Sequence, residues 1–327
     1  MSDLKWGILG CGVIANEMAQ AFEKMGRKVY GVSSRTQTKT EVFAEKYGVE
    51  NVYGSYEEML EDENIDVIYI ATPHSQHYEN MKKAIGAGKH ILCEKAITVN
   101  DHQLEEIVSL AEEKNLTVRE AMTISHMPLF KELKDRIDKG DIGTVKMVQV
   151  NFGSNKGYDS TNRFFALEAA GGALLDIGGY ATTFARTFMD EAPNTILTTV
   201  QYVETGVDEQ SGIILKNESD QMAVICLTIR AKQPKRGMLA FENGYVEIYD
   251  YPRAEKAVIN YTEDTSQEVI ECGSTKDALW YEVNDMEEAV SGAADEMHFD
   301  YTVDVMNVMT EIRKAWGLSY PEERESL

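Results

Sequence analysis

Basic residues are scarce in this chain. Its 327 residues hold 32 lysines and arginines against 55 aspartates and glutamates, and no basic run offsets the net charge of −23. A surface so rich in carboxylates repels phosphate, which argues against nucleic acid and anionic membrane as partners. Cysteine is scarce too: Cys11, Cys93, Cys226 and Cys272 are scattered, and none forms a C-x-x-C pair. That spacing supports neither a disulfide scaffold nor a zinc knuckle, and reduced thiols in a cytosol are expected. No apolar run approaches the roughly 20 residues a membrane-spanning helix needs; the longest, Val67 to Ala71, is strand-sized. Met1 to Lys5 has neither the basic nor the apolar stretch of a signal peptide, so a soluble cytoplasmic protein is expected. Internal repeats and low-complexity linkers are also missing.

What remains is an ordinary globular composition. The chain is 43% hydrophobic and 27% charged, enough for a sizeable core in about two domains. The first third alternates strand and helix. Leu4–Leu9 reads as a short buried strand, followed by a helical pattern through Ile14, Met18, Phe22 and Met25 that Gly26 stops. Val29–Ser33 is a second strand, and Thr40–Tyr47 a helix ending at Gly48. Ser55 with Glu58 three residues on is a capping box. Asp66–Ala71, His90–Cys93 and Thr117–Ala121 are further strands, with helices over Ser75–Ala87 and Asp101–Lys114. Continuous apolar strands alternating with helices imply a parallel sheet covered on both faces, a doubly wound α/β domain over residues 1–121.

The pattern changes over residues 122–327. Helices are expected at Pro128–Lys139, Ala173–Met189, Asp277–Ser291 and Tyr301–Trp316. Val145–Phe152, Ile196–Val203, Gly212–Leu215, Met222–Ile229, Met238–Phe241, Tyr245–Tyr249, Ala257–Tyr261 and Glu268–Cys272 read as strands. Strands in succession imply a large, mainly antiparallel open sheet. One face would pack on helices and the other on a second subunit, which points to a homodimer or higher homo-oligomer.

Gly10-Cys11-Gly12-Val13-Ile14-Ala15 has the form G-x-G-x-x-A, after a strand and opening a helix. A dinucleotide pyrophosphate needs this, because it must approach backbone N–H groups at the positive end of a helix. An NAD site usually carries an acid about 20 residues on. Here Ser33-Ser34-Arg35-Thr36 stands instead, and no acid occurs from Arg27 to Thr40. Ser33, Ser34 and Arg35 could bind a 2′-phosphate, so NADP(H) is preferred, with NAD(H) the second choice. Arg35 could equally stack on adenine.

Two further segments stand out: Ala71-Thr72-Pro73-His74-Ser75-Gln76-His77, leading to Gly86 through Cys93-Glu94-Lys95-Ala96, and Gly171-Gly172-Ala173-Leu174-Leu175-Asp176-Ile177-Gly178-Gly179-Tyr180. With the glycine turn, Arg119-Glu120-Ala121-Met122 and the ending Ile312 to Pro321, the chain resembles the Gfo/Idh/MocA oxidoreductases. Within them it is most similar to the dimeric dihydrodiol dehydrogenase and NADP-dependent xylose dehydrogenase branch. The resemblance implies a Rossmann domain, a C-terminal α/β domain with a large open sheet, and hydride transfer between a nicotinamide and a carbinol carbon. The substrate so implied is a small molecule, a sugar, cyclic polyol or dihydrodiol.

The family's Glu-Lys-Pro motif carries onto Glu94-Lys95-Ala96, which makes Lys95 the catalytic lysine and puts Glu94 near the cofactor. The branch's Asp-x-Gly-x-Tyr carries onto Asp176 and Tyr180. Thr72, Pro73, His74 and His77 would lie near the nicotinamide, beside Gly10, Gly12, Val13 and Ile14. Ala96 in place of proline is a departure. A cis bond before alanine costs about 2.5–4 kcal/mol, so a trans Lys95–Ala96 bond is expected.

Oxidising an alcohol by hydride transfer requires removing the hydroxyl proton. Free tyrosine and lysine titrate near pH 10, roughly; a lysine charge lowers a tyrosine, and burial lowers a lysine. Either Lys95 or Tyr180 could therefore carry the proton; Tyr180 is assigned as the proton donor or acceptor and Lys95 as its electrostatic and hydrogen-bonding partner, with the reverse assignment as the alternative. Asp176 and Tyr180, four apart, should share one helix face. Arg163 could contact substrate oxygens or phosphate, or be solvated. His74 and His77 lie three apart, but no cysteine or third histidine accompanies them, so no metal is expected. The alternative to an enzyme is a regulator or sensor that binds NAD(P) on this fold without turnover.

Overall fold

Val67-Ile68-Tyr69-Ile70 is fully buried because it runs through the middle of a parallel sheet, covered on both faces. The computed structural model describes residues 4–140, 142–293 and 298–324. The first of its two units comprises β1 Trp6–Leu9, α1 Val13–Lys24, β2 Gly31–Ser33, α2 Gln37–Tyr47, β3 Asn51–Val52, α3 Tyr56–Leu60, β4 Val67–Ile70, α4 His77–Gly86, β5 His90–Glu94, α5 Asp101–Glu113 and β6 Val118–Ala121. The six strands pair in the order β3-β2-β1-β4-β5-β6, every pair parallel. This is the Rossmann arrangement expected from the sequence. The order reverses between β1 and β4, so their carboxyl ends flank the crevice where such sheets bind ligands. The capping box forms as expected: Ser55 Oγ accepts the Glu58 N–H at 3.1 Å, and Glu58 reaches back to the Gly54 N–H at 2.7 Å.

The second unit is built on an eight-stranded sheet. Its elements are α6 Thr123–His126, α7 Pro128–Asp138, β7 Val145–Ser154, α8 Gly179–Phe188, β8 Thr195–Tyr202, β9 Asp208–Lys216, β10 Met222–Thr228, β11 Lys232–Phe241, β12 Gly244–Tyr249, β13 Lys256–Tyr261 and β14 Gln267–Glu271. The order is β14-β13-β12-β11-β7-β10-β9-β8, with β7–β10 parallel and the other pairs antiparallel. The inner face buries Val148, Val150, Ile225, Leu239, Val246 and Ile259. α8 packs on the sheet at β7, and its Phe184 ring occupies the space that a side chain at Gly237 on β11 would fill, 2.2 Å from its Cβ position. The opposite face carries a row in register across all eight strands: Leu197, Ile214, Val224, Gln149, Met238, Glu247, Val258 and Val269.

The chain then leaves that unit and returns. α9 Ala278–Val290 belongs, from Leu279 onward, to the first unit, and α10 Phe299–Trp316 and α11 Pro321–Arg324 to the second, Phe299 excepted. Glu287 on α9 accepts the Trp6 indole N–H and pairs with Arg27, each at 2.8 Å, within the first unit.

Candidate active site

Gly10 has φ +104°, and a Cβ there would stand 2.6 Å from the Ala71 carbonyl oxygen. Glycine is required at this position because the turn closes directly on β4. Gly12 differs: its φ is −75°, and a Cβ would meet nothing within 4 Å. The space ahead of α1 is open, its first turn carries no acid, and Val13 is 81% exposed. An acid-free helix N-terminus with open space before it and an apolar side chain at its mouth fits a dinucleotide pyrophosphate.

The loop after β2 lies against this turn. Burial pushes the Cys11 thiol above its usual range, while the Ser34 and Thr40 hydroxyls bond it and pull the other way. Ser34 Oγ stands 2.7 Å from Thr40 Oγ1, and Arg35 is exposed beside it. Ser33 is fully buried at the end of β2, its hydroxyl donating to the Tyr53 carbonyl at 3.4 Å. Its side chain therefore faces the interior rather than the loop.

Lys95 follows β5 and is half-buried. The backbone around it is pinned from the 72–77 segment. His74 Nε2 lies 3.1 Å from the Lys95 carbonyl oxygen, and His77 Nδ1 2.9 Å from that of Ala96. Glu120 Oε1 accepts the Ile97 N–H at 3.0 Å. Tyr69 donates its hydroxyl to Glu94, which is buried. The Lys95–Ala96 bond is cis, not trans as expected from alanine alone. The contacts to His74, His77 and Glu120 are what a local estimate at Ala96 omits.

His77 is wholly buried, with Nε2 also 2.8 Å from the Thr72 carbonyl oxygen. A neutral imidazole has one N–H for these two carbonyls. They favour the charged ring, but burial outweighs them and the Lys95 charge opposes it too, so the pKa lies below its ordinary value. Unfolded His77 gains a proton below about pH 6.5 and folded His77 only at lower pH, so stability is complete above that pH and falls on acidification. The loss is expected to reach up to about 1.4 kcal/mol per pH unit. His90, half-buried and accepting the Thr117 N–H at 2.9 Å, acts in the same direction. Urea unfolding at pH 7 and 5.5 should show a shallower dependence in His77→Asn; an equal slope would mean that the folded ring is already charged.

In the second unit, Gly171-Gly172 turns the chain into α8. Gly172 has φ +115°, and a Cβ there would lie 2.0 Å from Asp208 Oδ1. Asp208 Oδ2 accepts the Leu174 N–H at 2.7 Å, and Tyr320 donates its hydroxyl to the Gly171 carbonyl at 2.7 Å. Burial raises the Asp208 carboxyl to about 6. Leu174–Gly178 is a π-turn leading into α8. Asp176 sits in that turn and Tyr180 in the first turn of α8. Asp176 is buried, its carboxylate 3.4 Å from Lys156 Nζ, and the Tyr180 ring lies 6.3 Å from that of Phe152 on β7. Arg163 is exposed, its guanidinium 4.1 Å over the Phe164 ring.

The expected cofactor residues Gly10, Gly12, Val13, Ile14, Ser33, Ser34, Arg35, Thr72, Pro73, His74, His77, Glu94 and Lys95 all lie in the first unit, and Arg163, Asp176 and Tyr180 in the second. Cys11, Glu120, Lys156 and Asp208 support them, and sequence reading gave none of these four a role in the site. A run such as Val207-Asp208-Glu209-Gln210 looks like a solvated turn. Among the described residues no group of three or more His, Cys, Asp and Glu could hold a metal, and no helix is long and apolar enough to cross a membrane.

Comparison with known proteins follows the same division. Residues 4–122 match the oxidoreductase family with an NAD-binding Rossmann fold, and residues 130–248 the GFO/IDH/MocA C-terminal domain. A trans-1,2-dihydrobenzene-1,2-diol dehydrogenase of Xenopus tropicalis is 32% identical over 248 residues, 75% of this chain and 74% of that protein. The Mus musculus protein of the same name is 27% identical over 335 residues, 98% of this chain and 99% of the relative. Among solved structures, a 3-ketoreductase from Actinomadura kijaniata with NADP and TDP-benzene superposes with a TM-score of 0.86. It is 21% identical and covers 96% of this chain and 98% of its own, a likeness of fold.

Proposed function

We propose, on the premise that this chain belongs to the Gfo/Idh/MocA oxidoreductases, that it is an NADP-preferring dehydrogenase or reductase acting on a secondary alcohol or ketone. Its substrate class is a sugar, cyclic polyol or dihydrodiol, which the relatives named dihydrodiol dehydrogenases support. Residues 1–121 would bind the dinucleotide and residues 122–327 the substrate.

The observation that carries this reading is the setting of Lys95. A half-buried lysine follows the carboxyl end of a central strand, on a backbone that two buried histidines and a buried glutamate hold in place. Such positioning suits a proton-handling group and is idle for a surface lysine. NADP(H), when bound, supplies the hydride acceptor or donor. Gly12 and the N-terminus of α1 would take its pyrophosphate, and Ser34 and Arg35 its 2′-phosphate. Lys95 and Tyr180 form the acid–base pair: one holds the hydroxyl proton while the other fixes the oxygen by charge or hydrogen bond. Asp176 orients the substrate, with Arg163 at the rim. Ser33 drops out of the phosphate contacts, because its hydroxyl is spent on Tyr53.

Titration of the three tryptophans' fluorescence tests the cofactor half. NADPH is expected to bind at least about tenfold more tightly than NADH, the scale of a charged phosphate contact. Gly12→Ala should weaken both without unfolding the chain, since its Cβ would point into open space. Preference for NADH would overturn the Ser34–Arg35 assignment. Tight binding of either with no turnover on any polyol or ketone would favour the regulator.

The face of the eight-stranded sheet that carries the in-register row, apolar except at Gln149 and Glu247, is the surface for a second copy. Leu197 and Val269, at its two ends, are 62% and 51% exposed. Sedimentation that gives a monomer would remove this part of the reading. The four cysteines are free thiols, which suits a reducing cytoplasm.

A further inference from the structure

Many basic side chains among the described residues sit on acids. Lys134 pairs with Asp138, Lys139 with Asp135, Lys216 with Asp220, and Arg136 with both Glu132 and Glu268. The surroundings of Phe152 break that pattern. Lys235 on β11 places its ammonium 5.1 Å over the Phe152 ring, the same ring that neighbours Tyr180. Lys235 makes no ion pair among the described residues. Lys156 stands 3.4 Å from the Asp176 carboxylate and 3.4 Å over the Phe164 ring. The charges of Lys156, Lys232 and Arg253 all bear on Lys235, and Asp250 is the acid that opposes them.

Burial pushes the Lys235 ammonium below its usual range, and those three cations add to the shift. Gathering like charges on a half-buried lysine is unfavourable in an empty site, and an anion placed among them relieves the repulsion. Local concentration of positive charge also reverses the repulsion that a chain of net charge −23 exerts on an anionic small molecule.

We propose that Lys156 and Lys235 form an anion-binding subsite beside Asp176 and Tyr180, and that the substrate is a polyol or sugar bearing a phosphate or a carboxylate. This rests on the reading of Asp176 and Tyr180 as the substrate end of the site. The hydroxyl-bearing carbon would face Tyr180, and the charged group would lie toward the Lys156 ammonium beside Asp176 and the Lys235 ammonium over Phe152.

Calorimetry on the full chain saturated with NADPH tests this apart from turnover. The probes are sorbitol, sorbitol 6-phosphate and gluconate, which share a polyol chain and differ in charge. The phosphate or the carboxylate probe is expected to bind at least about tenfold more tightly than sorbitol, and the tighter of the two names the anion. Lys235→Gln should erase that advantage while NADPH still binds; Lys156→Gln provides the same readout should the first variant fold poorly. Equal binding of all three probes, or an advantage that survives both substitutions, overturns the subsite. Selective binding of a charged probe without oxidation by NADP⁺ would count against the proposed activity and leave the subsite standing.

Discussion

Replacing Lys95 by methionine is expected to lower turnover at least about a hundredfold, the scale of a positioned acid–base group. Methionine keeps the length and the apolar stem of lysine but neither its charge nor its donors. The surrounding backbone should persist, because His74 and His77 hold carbonyl oxygens, not the lysine head. NADPH binding through the glycine turn should persist as well. The loss would then appear in kcat, with a smaller change in KM, as for an interaction made chiefly in the transition state. A rate unchanged by the substitution would sink the assignment of Lys95, and a change confined to KM would leave it a binding role alone.

The second large effect is on folding. Gly172→Ala should destabilise the chain by at least about 3 kcal/mol, combining a forbidden backbone angle with a clash against a buried carboxylate. Two observations bear on it independently: φ is +115°, and the Cβ would lie 2.0 Å from Asp208 Oδ1. Asp208 cannot yield freely, since its other oxygen accepts the Leu174 N–H at the entrance to the π-turn. Moving it would disturb the segment that carries Asp176 and Tyr180. Thermal unfolding of the purified variant, or its recovery in insoluble form, reads the effect. A melting temperature within about 2 °C of the native chain would mean that the turn relaxes without cost, the shift expected from under 1 kcal/mol at this size.

The Rossmann unit was largely legible in the sequence, because most of its strands are continuous apolar runs and α1, α2 and α4 end at or near glycines. β3 escaped, since Asn51-Val52 is a two-residue strand that pairs with β2 through position rather than composition. In the second unit the strands were found, but β9 and β11 extend farther toward their amino ends, through polar residues such as Asp208-Glu209-Gln210 and Lys232-Gln233. Ladder pairing, not hydrophobicity, decides those residues. The Gly-x-Gly turn was legible because glycine after a strand is a local signal, whereas Lys95 was legible only through the resemblance carried by Glu94-Lys95-Ala96. Asp208, Glu120 and Lys235 act on residues far away in the chain, and nothing adjacent to them in sequence marks that. The Lys95–Ala96 bond belongs with these: alanine alone argues for trans, and partners 18 or more residues distant surround the observed form.

The return of Leu279–Phe299 to the first unit makes that unit a poor cassette. A fragment cut after Ala121 would keep the whole six-stranded sheet and the glycine turn, yet it would strip Glu287 from Trp6 and Arg27. An indole that is 1% exposed in the intact chain would be left without its acceptor, and Arg27 without its anion. Grafting the cofactor-binding half onto another protein therefore means transplanting two separated stretches of sequence, and a nested gene fusion suits it better than an end-to-end one.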